Sequence, residues 1–270
     1  MTTTKHTDVI RGLSPIDHLQ PILHTDVNRQ AGSSTLEQQI LDLYTGSDYG
    51  DLFKFFDYDT MYQTDTTDTP VTSSGQSLGR IEGARSTNQV IATQALSATR
   101  LTTTDDSGYL GCQASGVNDH LLGALGATIN QPLTIAMQFY NNGSGGTQVL
   151  GSVSTGDSAT NLAEIYTDTN KVNIYAGNII AGTTTITTGD FYYVLAEFNT
   201  TSSAYSLDGT SEGSGNAGSF SGFDSVQIGY NSSVPMINVH LGKMMVISRL
   251  LTADEKNDVV LPYFAVQGDA

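Results

Sequence analysis

The sequence predicts an all-β fold, an antiparallel β-sandwich of the jelly-roll type, with an N-terminal arm and a short helix before it. Two observations favour this class. Only 14% of the 270 residues are charged and 28 are glycine, a composition unsuited to long exposed helices. From residue 78 onward, short apolar segments recur roughly every 10 to 15 residues between polar, glycine-rich turns. Because helical patterns do not separate these segments, a parallel α/β sheet is excluded.

The strand pattern is clearest in 132–140, where Leu133, Ile135 and Met137 alternate with polar or small residues. Side chains of a strand point alternately to opposite faces, so one set is expected in a core. Many such segments with hairpin-length spacers are typical of a sandwich or barrel. An aromatic segment, 51–62, is also strand-like. The predicted strands are 78–82, 89–93, 109–113, 119–122, 132–140, 147–153, 162–167, 171–176, 183–187, 191–199, 203–207, 225–230 and 239–248.

The chain is predicted to divide into an N-terminal attachment segment, 1–45, and a β-sandwich, 46–270. Residues 1–32 contain scattered aliphatic residues with weak strand periodicity, which predicts an arm that becomes ordered against another protein. A helix is predicted over 33–45. Ser34 is its expected N-cap, with Glu37 at the capping-box spacing, and Gly46 is expected to end it.

The predicted helix carries one apolar stripe, formed by Leu36, Ile40 and Leu43. Three turns are too short for a free-standing coiled coil, so the stripe needs a packing partner. That partner is either the protein's own β domain or a neighbouring subunit. The second alternative makes the three residues an assembly surface.

The formal net charge of −16 excludes some partners. Nucleic-acid affinity comes mostly from Lys and Arg neutralising phosphates, and anionic membrane surfaces likewise attract basic segments. No apolar run approaches the length of a spanning helix, and the N-terminus lacks the features of a secretory signal. We therefore expect neither nucleic acid nor membrane as a partner, and no export by the signal-peptide route. The single cysteine, Cys112, is expected to be a small buried apolar residue.

Two parts of the sequence resemble one protein family. The first consists of a loop, Thr69-Pro70-Val71-Thr72, and two short strand-like segments after it, Gly75-Gln76-Ser77-Leu78-Gly79 and Ala92-Thr93-Gln94. The second is the closing set of strand ends and a helix start, namely Asp208-Gly209, Ile228-Gly229, Gly242-Lys243 and Leu251-Thr252 with Glu255. Together they resemble phage virion structural proteins that end in a concanavalin A-like (laminin-G-like) jelly roll. The resemblance spans roughly residues 51–264. Local chemistry independently predicts a tight turn at Asp208-Gly209 and a helix that begins with a Thr252–Glu255 capping box and is bounded at its end by Pro262.

The resemblance implies a virion protein whose arm attaches it to other virion proteins. Three roles are left open: a tail-fibre or receptor-binding component that binds host-surface glycan, a capsid decoration (cement) protein, and a non-catalytic lectin-like module. By analogy with fibres and spikes, it also implies a homo-oligomer, a trimer. One departure is the absence of Trp from this chain, which argues against sugar stacking on an indole.

Catalytic residues are not predicted. Glucan hydrolases of this fold resemble one another in a Glu-x-Asp-x-x-Glu strand, and retaining hydrolysis needs two carboxyl groups about 5 Å apart. That motif does not occur in this sequence, where Glu164 is followed by Asp168 and Glu197 stands alone. We therefore expect a protein that is not an enzyme.

A ligand site is predicted where tyrosine stands beside amides at strand ends. Tyr140, Asn141 and Asn142 form one such group, and Tyr230 and Asn231 form the other. A tyrosine ring with neighbouring amide donors suits a sugar. The alternative is that all five are turn residues without a function.

A metal site is the remaining hypothesis. Asp105 and Asp106 precede a Ser-Gly turn, and carboxylate oxygens are ligands that Ca²⁺ prefers. The alternative is that these carboxylates accept hydrogen bonds from their own turn. No cofactor other than this Ca²⁺ is expected.

Overall fold

The computed structural model describes residues 34–106, 108–114, 118–143, 146–158, 160–231, 234–236 and 238–267. The side chains of Asp106, Tyr230, Asn231, Val234 and Pro235 are outside this description. The predicted arm, 1–32, lies outside the described residues, and so does its proposed attachment.

Two antiparallel sheets form a sandwich, as the sequence predicts. The strands in chain order are β1 (Leu52–Lys54), β2 (Met61–Tyr62), β3 (Ser77–Leu78), β4 (Arg80–Glu82), β5 (Ile91–Thr93), β6 (Leu101–Asp106), β7 (Tyr109–Gln113), β8 (Leu121–Ile129), β9 (Leu133–Asn141), β10 (Gln148–Ser154), β11 (Leu162–Asp168), β12 (Lys171–Tyr175), β13 (Ile179–Ala181), β14 (Asp190–Phe198), β15 (Ser203–Leu207), β16 (Thr210–Gly215), β17 (Phe223–Ile228), β18 (Tyr230–Asn231), β19 (Val234–Pro235) and β20 (Val239–Ile247).

Sheet A has the order β16-β15-β14-β9-β20-β7-β6-β3, with β1 paired to β20. Sheet B has the order β13-β12-β11-β10-β17-β8-β5-β4-β2, and β18 and β19 form a separate pair. Neighbours in each sheet are often distant in the chain, which is characteristic of a jelly roll and unlike a simple meander. The fold is therefore the predicted antiparallel β-sandwich of the jelly-roll type.

The main core lies between the two sheets. In β9 the predicted alternation holds, since Ile135, Met137 and Phe139 belong to this core and are fully buried. Burying each such side chain stabilises the fold by about 1.5–3 kcal/mol. The hairpin from β15 to β16 turns at Asp208 and Gly209, both at positive φ (50° and 74°). This confirms the predicted Asp-Gly turn, whose geometry needs left-handed backbone at both positions.

Two helical elements cover part of the outer face of sheet A. One is α1 (Leu36–Asp42); the other, here called the C-terminal helical segment, is a π-type helix over Glu255–Val260 that continues as α2 (Leu261–Phe264). They build a second apolar cluster against the sheet, which contains Ile40, Leu43, Leu52, Ala136, Leu195, Met245, Ile247, Leu251, Val260, Tyr263 and Phe264. No helix in the described ranges is long and apolar enough to cross a bilayer.

The C-terminal helical segment begins with the predicted capping box. Thr252 N–H donates to Glu255 Oε2 (2.7 Å), and Glu255 N–H donates to Thr252 Oγ1 (3.2 Å). Arg249 also donates to both Glu255 oxygens (2.8 and 2.9 Å), and these bonds lower the pKa of Glu255 to about 2. The expectation that Pro262 bounds the helix is wrong, because Pro262 lies inside α2.

The structure of helix α1 differs from three predictions, which concern its N-cap, its capping box and the domain boundary. Its N-cap is Thr35, whose hydroxyl accepts from Gln38 N–H, whereas Ser34 was expected. With Thr35 as the N-cap, Glu37 stands at N2 and not at the N3 position of a capping box, and it pairs with Lys54 (3.1 Å). The compact unit begins at Ser34 and includes the helix, so the domain boundary lies at residue 33, before the predicted 45.

The predicted assembly surface on this helix is also corrected. Ile40 is fully buried, Leu43 is 7% exposed, and Leu36 packs beside them against the cluster under α1. The stripe therefore packs on its own domain, and the buried Ile40 and Leu43 side chains leave little surface for a neighbouring subunit. The own-domain alternative is confirmed.

The structure corrects the predicted strands in two ways, with one predicted strand absent and other strands formed where none was expected. The segment 183–187 is a loop, because Thr183 and Thr184 bind the Glu212 carboxylate, and the strand lies instead at β13. Strands β6 and β16 were not expected, since a Thr-rich and a Gly/Ser-rich sequence lack apolar alternation. Their pairing partners, β7 and β15, supply the hydrogen bonds that make them strands.

Candidate functional site

The candidate site lies on the outer face of sheet B, the face turned away from the core. Thr93 of β5 and Gln227 of β17 both pair with Leu122 of β8, so the three form a row across neighbouring strands. Their chain neighbours Leu121 and Val226 point inward to the core. Strand alternation therefore presents one apolar and two polar side chains on the outer face.

A loop after β10 folds back over this row. Gly156 N–H donates to Asp224 Oδ1 (2.7 Å), and the Ser154 hydroxyl donates to Gly156 O (2.7 Å). Gln227 Nε2 then donates to Asp157 Oδ1 (2.9 Å). These bonds place the Asp157 carboxylate above the sheet, 3.6 Å from His120 Nε2.

Between this loop and two others lies a cleft of about 420 Å³. Such a volume is in the range of small-molecule sites. Its lining combines hydroxyl, amide, imidazole and carboxylate groups with two leucines, and the residues are Thr93, Gln94, Leu96, Thr99, Asn118, His120, Leu122 and Asp157. We call this space the sheet B cleft.

The hydrogen bonds of His120 determine which of its ring nitrogens donates and which accepts. Nδ1 lies 2.9 Å from the carbonyl oxygen of Asn118, so Nδ1 carries the proton and donates it there. In the neutral ring, Nε2 is then an acceptor that faces the cleft. Gln94 Oε1 accepts from Leu96 N–H (3.1 Å), and its Nε2 stands 3.5 Å from His120 Nε2.

The sheet B cleft can therefore hold a small polyhydroxylated group. The imidazole and carboxylate accept from hydroxyls, and the Gln94 amide donates to them. Leu122 forms an apolar floor, and Leu96, 68% exposed, stands at the rim. Apolar surface with a few directed polar groups is the usual construction of a ligand site.

The predicted ligand residues are partly brought together, on the other sheet. Tyr140 is half-buried, stacks on Tyr109 (5.7 Å between ring centroids) and lies 5.8 Å from the His240 ring in a tilted arrangement. Asn142 is exposed, with Nδ2 3.4 Å from His240 Nε2. Tyr140 and Asn142 thus lie together on the outer face of sheet A, but one face of the tyrosine ring is already covered by Tyr109.

Asn141 is wrongly predicted as a ligand residue. Strand β9 extends through it, its side chain is only 2% exposed, and its amide donates to Thr187 O (3.0 Å). Tyr230 and Asn231 form strand β18 and are not part of a free loop. Their side chains lie outside the described part of the structure, so their ligand role stays a prediction.

The predicted metal residues stand at the end of β6. Asp105 is exposed and pairs along the backbone with Leu110, while the side chain of Asp106 is outside the description. Within the described ranges, no group of three or more His, Cys, Asp or Glu side chains is arranged to hold a metal ion. Calcium binding at this turn stays a prediction.

The two glutamates considered for catalysis do not face each other. Glu164 lies on β11 in sheet B, whereas Glu197 lies on β14 in sheet A and pairs with Lys256 (2.9 Å). Two carboxylates on different sheets, one of them engaged by an ammonium, do not form the close pair that glycoside hydrolysis uses.

The residues that line the sheet B cleft were not singled out as a site by the sequence. Gln94 appears only within the Ala-Thr-Gln step, and His120 and Asp157 stand in polar turns like many others. Gln94 and His120 are 26 positions apart in the chain. No local signal marks them, because their proximity arises from strand pairing and from the folded-back loop.

Comparisons with known proteins show the fold. A scan against protein-family models finds no match, and a search of curated proteins finds none either. Among solved structures, the chain is similar to Trypanosoma rangeli sialidase, with a TM-score of 0.54 and 13% identity, over 83% of this chain and 34% of that one. The same sialidase in complex with a 2,3-difluoro-KDN ligand gives a TM-score of 0.53 and 14% identity, over 81% and 33% of the two chains.

A weaker likeness is to the Ruminococcus gnavus IT-sialidase CBM40 bound to α2,3-sialyllactose, with a TM-score of 0.40 and 15% identity, over 52% of this chain and 84% of that one. This chain spans about a third of the length of the Trypanosoma rangeli sialidase. At these identities the common feature is the β-sandwich.

Proposed function

We propose that this protein is a non-catalytic, glycan-binding structural component of a phage virion. The observation that carries the glycan part is the sheet B cleft, where Gln94, His120 and Asp157 converge above Leu122. Hydroxyl groups of a sugar match both the donors and the acceptors there, and the leucines match its apolar ring face. The β-sandwich shared with a protein named a sialidase makes glycan recognition a natural first hypothesis.

The virion part rests on the sequence. The segments that end in Asp208-Gly209, Ile228-Gly229 and Leu251-Thr252 resemble the closing strands and helix of phage virion proteins. We favour a tail-fibre or receptor-binding component over a capsid decoration protein, because an open polar cleft serves a ligand and a decoration protein needs none. Residues 1–33 are the proposed attachment to other virion proteins, and a homotrimer is the proposed assembly.

The first prediction concerns glycan binding. Gln94→Ala removes an amide at the cleft and is expected to weaken binding about fivefold, the effect of about one net hydrogen bond. Leu96→Ala removes apolar surface at the rim and is expected to weaken it about threefold. Wild type is screened on a glycan array and on host-surface polysaccharide, and each variant is titrated calorimetrically with the best binder.

Ile179→Ala is the matched control for the rim leucine. Ile179 is 60% exposed on β13, an edge strand of the same sheet, and does not line the cleft. Its truncation is expected to leave both binding and the melting temperature unchanged. If no glycan binds wild type, or if Ile179→Ala weakens binding as much as Leu96→Ala, the cleft is not a glycan site and the decoration alternative gains.

The second prediction concerns attachment. A chain that lacks residues 1–33 retains the compact unit that begins at Ser34, so it is expected to fold and to keep its glycan binding. It is also expected to be absent from assembled particles. Complementation of a phage that lacks the gene, followed by immunoblotting of purified particles, measures this. Normal incorporation of the shortened chain contradicts the proposed attachment.

A further inference from the structure

The charge of the sheet B cleft selects among glycans. Resting on the proposed function, we infer that the cleft takes a neutral sugar and discriminates against sugars that carry a carboxylate, such as sialic and uronic acids.

Among the described lining residues, Asp157 is the acidic side chain, and none is a lysine or an arginine. Asp157 is anionic, its side chain is 52% exposed, and one of its oxygens is held by Gln227. His120 donates Nδ1–H to a backbone carbonyl, which leaves Nε2 as an acceptor in the neutral ring. Lys and Arg are absent from the described lining residues, so a sugar carboxylate would meet acceptors and a like charge.

Arg100, which follows the lining residue Thr99 in the chain, is already engaged by other groups. Arg100 donates to the carbonyl oxygens of Gln63 (3.0 Å), Gln94 (2.9 Å) and Ala95 (2.9 Å), and it stands 3.7 Å from Asp65. These bonds tie the guanidinium to the backbone of the loop that carries Gln94. The guanidinium does not offer the paired N–H groups that recognise a carboxylate.

The chain positions outside the description that adjoin the lining loops add no positive charge. The chain positions next to its lining loops that fall outside the description are 115–117, which read Ser-Gly-Val, and 159, which is Ala. The whole chain carries a net charge of −16, which adds a long-range repulsion to the local one. Local and global charge therefore disfavour the same class of ligand.

Matched pairs of glycans test the inference. Wild type is titrated at pH 7.5 and low ionic strength with galactose and galacturonic acid, glucose and glucuronic acid, and lactose and α2,3-sialyllactose. For each neutral sugar that binds, the acidic member of its pair is expected to bind at least about fivefold more weakly. That factor corresponds to two unit charges at contact distance in a solvent-like dielectric. The difference is expected to shrink in 0.5 M salt.

Two variants assign the effect to the cleft. Asp157→Asn keeps an oxygen that can accept from Gln227 and removes the charge. It is expected to lower the ratio of the dissociation constants of the acidic and the neutral sugar at least twofold. Asp258→Asn is the control, because it removes one exposed carboxylate from the C-terminal helical segment, which covers the other sheet. It is expected to leave the difference unchanged.

The outcomes separate the two proposals. An acidic sugar that binds as tightly as its neutral partner, or more tightly, overturns the charge discrimination and leaves the glycan site standing. An equal effect of Asp157→Asn and Asp258→Asn overturns its assignment to the cleft. The absence of binding to any sugar overturns the proposed function, and the discrimination with it.

Discussion

Removing residues 1–45 is expected to destabilise the β-sandwich by at least about 4 kcal/mol, although removing residues 1–33 is not. The longer deletion takes away Ile40 and Leu43, which are 0% and 7% exposed in the cluster under α1, and large-to-small changes at one such site cost about 2–5 kcal/mol. It also removes Tyr44, whose hydroxyl donates to Val246 O (2.8 Å). Without α1, leucine and methionine side chains on the outer face of sheet A that are buried in the full chain become exposed to water.

Urea titration followed by circular dichroism compares the two shortened chains with the full chain. The midpoint for the chain that starts at Ser34 is expected to match that of the full chain, and the chain that starts at residue 46 is expected to unfold at much lower urea. Ile40→Ala in the full chain gives the same effect on a smaller scale, about 2–5 kcal/mol. Equal midpoints for the two deletions would show that α1 contributes no stability to the sandwich.

Lys243→Ala is expected to lower the free energy of unfolding by about 3 kcal/mol or more. The Lys243 side chain is fully buried, and its Nζ donates to Tyr263 O (3.0 Å) and Val266 O (2.9 Å) at the end of the C-terminal helical segment. It also lies 4.1 Å from the Tyr263 ring centroid. A cation suits this helix end, and its removal takes a donor away from the buried Tyr263 oxygen, which costs about 1–3 kcal/mol. The Val266 oxygen keeps its bond from Gln138 Nε2 (2.6 Å), so the rest of the loss comes from the packing of the buried side chain.

Lys256→Ala is the matched control, because Lys256 pairs with Glu197 at the surface, where such bridges contribute about 0–1 kcal/mol. Lys243→Met separates packing from hydrogen bonding, since methionine fills much of the volume and donates nothing. It is expected to recover part of the loss that alanine causes. A small effect of Lys243→Ala, equal to that of Lys256→Ala, would contradict the role assigned to the buried ammonium.

Local chemistry explains why some features were predictable from the sequence. The alternation in β9 places Ile135, Met137 and Phe139 in the core wherever that strand pairs, because the period of a strand is a backbone property. The Asp208-Gly209 turn and the Thr252–Glu255 capping box likewise depend on residues a few positions apart. The all-β class and the jelly-roll resemblance followed from such features.

Other features were decided by distant partners. Asn141 looked like a loop residue, but its backbone pairs with Asp190 of β14, and this pairing extends β9 through it. The apolar stripe of α1 was visible in the sequence, but only the structure shows that its own sheet covers it. In both cases the deciding group lies far away in the chain, where no local pattern records it.

The sequence by itself determined the fold class, the turns and the helix start, since each depends on backbone geometry and neighbouring side chains. Only the tertiary structure decided the candidate site. Gln94, His120 and Asp157 come from three separate loops, and they meet because β8 pairs with β5 and β17 and because hydrogen bonds fold the loop after β10 back over the sheet. A cleft is a property of spatial neighbours, and strand pairing sets which residues become neighbours.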